Sequence, residues 1–78
     1  MKTSYKVKGL DRRLRQAVAD SNMTIVDIAQ KSGVSRSCLW SYLVAGNNPS
    51  VYTLARLAMV LNVSTDWLLG IEGKQWTI

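Results

Sequence analysis

Residues 24–43 run TIVDIAQKSGVSRSCLWSYL, a segment that holds two helix starts and one forced turn. Thr24 offers a hydroxyl ahead of an apolar-periodic run. Asp27, three residues on, reaches back to complete an imperfect capping box, with Asp where Glu or Gln is preferred. Ile28 and Ala29 take the core side of the helix that starts there, and Gly33 supplies the left-handed position that ends it, which predicts a helix over residues 25–32. Only Gly33 and Val34 then stand before a new cap, Ser35. From Arg36 the spacing of Leu39, Tyr42 and Leu43 is i, i+3, i+4, so another short helix is expected to run to about Val44 or Ala45. With that stripe turned inward, Arg36, Ser37, Trp40, Ser41 and Val44 are left on its outer face.

The flanks add three more helices. Leu10, Leu14, Ala17 and Val18 fall at i, i+4, i+7 and i+8, one stripe of a helix over about residues 11–21. Gly46-Asn47-Asn48-Pro49 has loop composition, and Ser50 caps a fourth helix whose core stripe is Leu54, Leu57, Ala58 and Leu61. Asn62 ends it, and Ser64 with Asp66 opens a short fifth helix carrying Trp67, Leu68 and Leu69. No strand alternation, repeat or low-complexity tract interrupts this pattern. Seventy-eight residues make one domain, burying only about 60% of the surface the unfolded chain exposes. The expectation is an all-α, five-helix domain over residues 10–70, with an arm over 1–9 and a tail over 71–78.

Charge is concentrated at one end. Lys2, Lys6, Lys8, Arg12, Arg13 and Arg15 stand against Asp11 alone, which accounts for the whole net charge of +5; beyond residue 15, four bases balance four acids. A basic arm on a neutral body suits a polyanion, and equally a solvated tail that keeps the protein soluble. With no histidine and a single cysteine, Cys38, the usual zinc sets and an intrachain disulfide are excluded and catalysis has a poor inventory, so no enzyme, metal or cofactor is expected. Cys38 reads as a small core or boundary residue of the third helix. The longest uncharged stretch, from Ser37 up to Arg56, is broken by Ser41, Asn47, Asn48, Pro49 and Ser50, so no membrane span is predicted. No secretory signal is readable either, which makes the expected compartment the cytoplasm.

Two short helices joined by a tight glycine turn make a helix-turn-helix. The second helix docks through one apolar stripe, leaving its other face free to enter a major groove about 12 Å wide. Arg36 and Ser37 lie at the end such motifs push toward base edges. Residues 24–43, followed by NNPSVYTLARLAMVLNVSTDWLLG at 47–70, resemble the lambda-repressor-like, Cro/C1-type helix-turn-helix family of phage and bacterial regulators. The matching pieces are Ile28-Ala29, Gly33-Val34-Ser35, Pro49-Ser50, Leu54, Leu57-Ala58, Leu61, and Val63-Ser64 leading into Asp66-Trp67-Leu68-Leu69, in an order and spacing that is jointly specific. The resemblance spans roughly Leu10 to Gly70. It implies a five-helix domain that binds double-stranded operator DNA as a dimer and regulates transcription, with no small-molecule substrate.

Position by position, the resemblance puts Arg36 and Ser37 in the first two places of the recognition helix, where bases are commonly read, with Ser41 one turn further and Trp40 beside them. Arg36 could grip guanine O6 and N7 bidentately, worth roughly 1–3 kcal/mol of discrimination, or hold a phosphate. Trp40 faces either a thymine methyl or sugar, or packs as half-buried scaffold. Ser41 bonds a base or the backbone, or is an idle surface serine. Thr24 and Asn47 match places where the family clamps phosphates, although Thr24 is first a cap. Lys2, Lys6, Lys8, Arg12 and Arg13 would add phosphate attraction. Four phosphates neutralised per subunit of a dimer correspond to a log–log salt slope of roughly −7.

Three departures from the family pattern carry information. Ile25 stands where a polar residue, typically Gln, usually reaches a phosphate, so that clamp is missing. Val18 and Leu43 stand where many members pair a first-helix Arg with a third-helix Glu, and joint replacement by aliphatics predicts that the two touch in the core. The glycine that usually follows the third helix is shifted by one, to Gly46, which predicts an unusual loop. Trp67, Ile71, Trp76 and Ile78 are candidates for a dimer interface, the alternative being that Trp67 completes the core. Competing functional readings are an antitoxin that binds both its operon and a toxin, and a protein-interaction module that kept the fold without reading DNA.

Overall fold

The computed structural model describes residues 7–71. Lys2, Tyr5, Lys6, Trp76 and Ile78 lie outside the described residues. The chain forms α1 (Leu10–Ser21), α2 (Ile25–Ser32), α3 (Arg36–Trp40), α4 (Val51–Leu61) and α5 (Thr65–Leu69), and a π-helical turn over Ser41–Ala45 continues α3 without a break. The architecture is the expected all-α, five-helix one.

The start signals act as the sequence predicts. Thr24 Oγ1 accepts from the Asp27 N–H at 3.1 Å while Asp27 Oδ2 accepts from the Thr24 N–H at 3.4 Å, so the box closes even with the shorter acid. Ser35, Ser50 and Ser64 cap α3, α4 and α5 through the N–H groups of Cys38, Thr53 and Trp67. Each such cap contributes about 1 kcal/mol. Helix α1 differs: it begins at Leu10 behind Gly9, with no side-chain cap.

Leu10, Leu14 and Ala17 of α1, Ile28 and Ala29 of α2, and Leu39 of α3 meet Leu43, the α4 stripe Leu54, Leu57, Ala58 and Leu61, and Leu68 of α5 in one buried cluster. In it α1 packs on the π turn and on α5, and α2 on α3 and α4. Val18, Tyr42 and Trp67 sit half-buried against its edge, so Val18 and Leu43 belong to the same apolar cluster.

Two expectations for the third helix need correction. Its last turn is not α-helical: the Gly46 N–H reaches back five residues to the Ser41 carbonyl, and the Asn47 N–H reaches the same oxygen at 3.1 Å. The wide turn absorbs one residue, which is the physical meaning of the shifted glycine. Cys38 is exposed rather than at the core or its boundary. Leu39 and Leu43 take the inward positions, and a residue one step back along a helix is rotated away by about 100°.

Candidate nucleic-acid interface

The turn between α2 and α3 is fixed from both sides. Gly33 has φ 76°, a left-handed backbone that a side chain would strain, and its N–H closes α2 on the Ala29 carbonyl at 2.9 Å. From α4, Arg56 Nε donates to the Ser32 carbonyl at 2.7 Å, and its guanidinium lies 5.6 Å over the Tyr52 ring. The orientation of α3 therefore follows from a tight turn pinned by a third helix.

On α3 only Leu39 is buried, and Arg36, Ser37, Cys38 and Trp40 all face solvent. The side chains of Arg36 and Ser37 have no hydrogen-bond or ion-pair partner among the described residues, so both leading positions are open to a ligand. Ser41 is half-buried and its hydroxyl donates to the Cys38 carbonyl at 2.6 Å, so a contact to DNA must share or replace that bond. Trp40, 51% exposed, and Val44, 65% exposed, follow Arg36 at successive four-residue steps.

The segment after the recognition helix ties in the N-terminal arm. Asn48 Oδ1 accepts from the Val7 N–H at 3.0 Å, and Val7 packs against the core, so residue 7 is held beside the loop at 46–49. Asn47 is exposed there. Thr24 is exposed with its oxygen engaged in the capping box.

The basic side chains divide into two groups. Lys8 and Arg12 are exposed, and their charged groups have no partner among the described residues. Arg13, read from the sequence as a phosphate contact, is engaged within the fold: Nη1 donates to the carbonyls of Lys8 at 3.2 Å and Leu68 at 3.4 Å. Its guanidinium lies between Gly9 and Gly70, where a Cβ on Gly70 would stand 2.7 Å from Nη2. Arg15 is also engaged, bridging Asp11 at 3.5 Å and donating to the Leu43 carbonyl within the π turn. Sequence reasoning missed the long-range ties, Arg15 to Leu43, Val7 to Asn48 and Arg13 to Leu68, because their partners lie 28, 41 and 55 residues away, beyond the reach of any helical periodicity. Of the expected dimer residues, Trp67 and Ile71 are half-buried, and the Ile71 N–H closes α5 on the Asp66 carbonyl at 2.9 Å.

A short helix with an open polar leading end, fixed on a second helix by a glycine turn, defines a helix-turn-helix DNA-binding domain. A sequence model of the helix-turn-helix family matches residues 12–68, and the chain belongs to that family, in its Cro/C1-type branch of DNA-binding transcriptional regulators. A similar protein is YobD of Bacillus subtilis, named as an uncharacterized HTH-type transcriptional regulator, 32% identical over 60 residues. That stretch covers 77% of this chain and 54% of YobD, so the chain spans about half the length of this curated relative. No solved structure matches at the same stringency.

Proposed function

We propose that this regulator is sequence-specific and occupies a palindromic operator as a homodimer in the cytoplasm, in the manner of a phage or prophage repressor. The observation that carries the proposal is the pair Arg36 and Ser37, exposed and unpartnered among the described residues, at the leading end of a helix whose other side is locked by Leu39 and Leu43. A guanidinium there can take guanine O6 and N7 together. Ser37, Trp40 and Ser41 complete the base-facing set. Thr24, Asn47, Lys6, Lys8 and Arg12 are assigned to phosphates, and Arg13 to holding the fold. Trp67, Ile71, Trp76 and Ile78 are the proposed dimer face, which would set the two recognition helices about 34 Å apart, one turn of DNA. The domain division into an arm over 1–9, a body over 10–70 and a tail over 71–78 belongs to the same proposal. No described helix is long and apolar enough to cross a membrane.

The test is to select binding sites from random duplex DNA and compare variants on the selected site. Arg36→Ala is expected to relax preference at one base pair per half-site by roughly 5- to 150-fold, the equivalent of about 1–3 kcal/mol. Lys8→Ala should weaken selected and unrelated DNA equally and make the salt slope shallower by about one unit per subunit. The opposite pattern would refute the assignment.

A further inference from the structure

We infer that the operator half-site contains a thymine whose 5-methyl group is read by Trp40 and Val44, a specificity contact that rests on the DNA-reading proposed above and deepens it. Arg36, Trp40 and Val44 are spaced by four residues and so form one continuous ridge on the outer side of the recognition helix. Its head is a cation and its body is apolar. The neighbouring ridge holds Ser37 and Ser41, and the Ser41 hydroxyl is already turned back to the Cys38 carbonyl. Beyond the leading turn, the outer face therefore offers more apolar surface than hydrogen-bond donors. Trp40 and Val44 are half or more exposed, so this surface is available to a partner.

The chemistry of the groove narrows what that partner group is. Major-groove edges of all four base pairs carry donors and acceptors, and the one apolar group among them is the thymine methyl. Phosphates favour cations and hydroxyls, neither of which this part of the ridge has. A rise of 1.5 Å per residue puts Trp40 about 6 Å beyond Arg36, close to two base-pair steps of 3.4 Å. The thymine is therefore expected within about two base pairs of the guanine taken by Arg36.

The test alters the DNA rather than the protein, so folding does not confound it. Each thymine of a selected site is replaced singly by deoxyuridine, and affinity is measured at fixed salt. The wild-type chain should lose about fourfold at one or two thymines per half-site, the worth of one buried methyl. Trp40→Ala or Val44→Ala should bind thymine and uracil versions of those positions equally, while Arg36→Ala should keep the difference. Both altered side chains are surface residues, and a helical circular-dichroism spectrum identical to wild type confirms that each variant is folded. Equal affinity of the wild type for every uracil-substituted site, with site selection intact, overturns methyl reading and leaves DNA reading standing; this is also the outcome if Trp40 and Val44 rest on sugars. A selected site with no thymine near the guanine overturns it as well. Failure to select any site removes both the methyl contact and the parent reading.

Discussion

Val18 and Leu43 bring two aliphatic side chains to one apolar cluster. Leu43 is buried and Val18 lies half-buried on the same cluster, where many relatives of this fold are expected to carry an Arg–Glu pair. Two aliphatics need no desolvation of charge, whereas one charged partner alone would be stranded. Val18→Arg is therefore expected to lower stability by about 1–3 kcal/mol in urea unfolding. In the double variant with Leu43→Glu, the two changes should couple favourably by about 1 kcal/mol or more. A neutral Val18→Arg, or strictly additive effects, would separate the two side chains. That both residues line one apolar cluster was legible in the sequence because both sit on periodic stripes. Cys38 was not, because a small thiol fits a core boundary as well as a surface and the stripe that excludes it is set by Leu39 and Leu43.

At the level of elements, caps and stripes were readable because each signal lies within a few residues of its effect, as Thr24 with Asp27 and Ser64 with Trp67 demonstrate. The π turn was readable only as a displaced glycine. Arg15, from another helix, donates to the Leu43 carbonyl inside it, a tie no local pattern displays. Arg15→Met, which keeps the apolar stem, should cost about 1 kcal/mol, the discounted worth of a charged hydrogen bond on a half-exposed side chain. Asp11→Ala, which removes only the exposed ion pair, should cost less. Also from α1, the Arg13 guanidinium approaches Gly70, whose φ of 81° strains any side chain and whose added Cβ would meet that flexible side-chain end at 2.7 Å. Gly70→Ala is expected to cost about 1–2 kcal/mol from the backbone alone, more with Arg13 present than in an Arg13→Ala background. Thermal denaturation of the four proteins would read this difference directly, and equal costs in both backgrounds would remove Arg13 from the clamp.

For the whole molecule, the decisive arrangement is an excess positive charge confined to residues 1–15, the arm and the first turns of α1, with the rest of the chain balanced. Composition reveals the excess charge, and the bond between the Val7 N–H and Asn48 Oδ1 holds residue 7 beside the loop following the recognition helix. If the lysines ahead of Val7 hold phosphates, as proposed, this bond sets the point from which they reach a bound duplex. Removing the tether need not unfold the domain, because Val7 still packs on the core and Leu10 still donates to the Val7 carbonyl at 3.2 Å. Asn48→Ala should therefore leave the melting temperature within a few degrees of wild type. It should also weaken binding to all DNA sequences alike and flatten the dependence of log K on log salt by about one unit for each lysine per dimer that loses its phosphate. Deleting residues 1–6 should produce the same flattening, and adding Asn48→Ala to that deletion should change nothing further. If Asn48→Ala altered sequence preference instead, with the salt slope intact, Asn48 would belong to the base-reading surface and not to the arm.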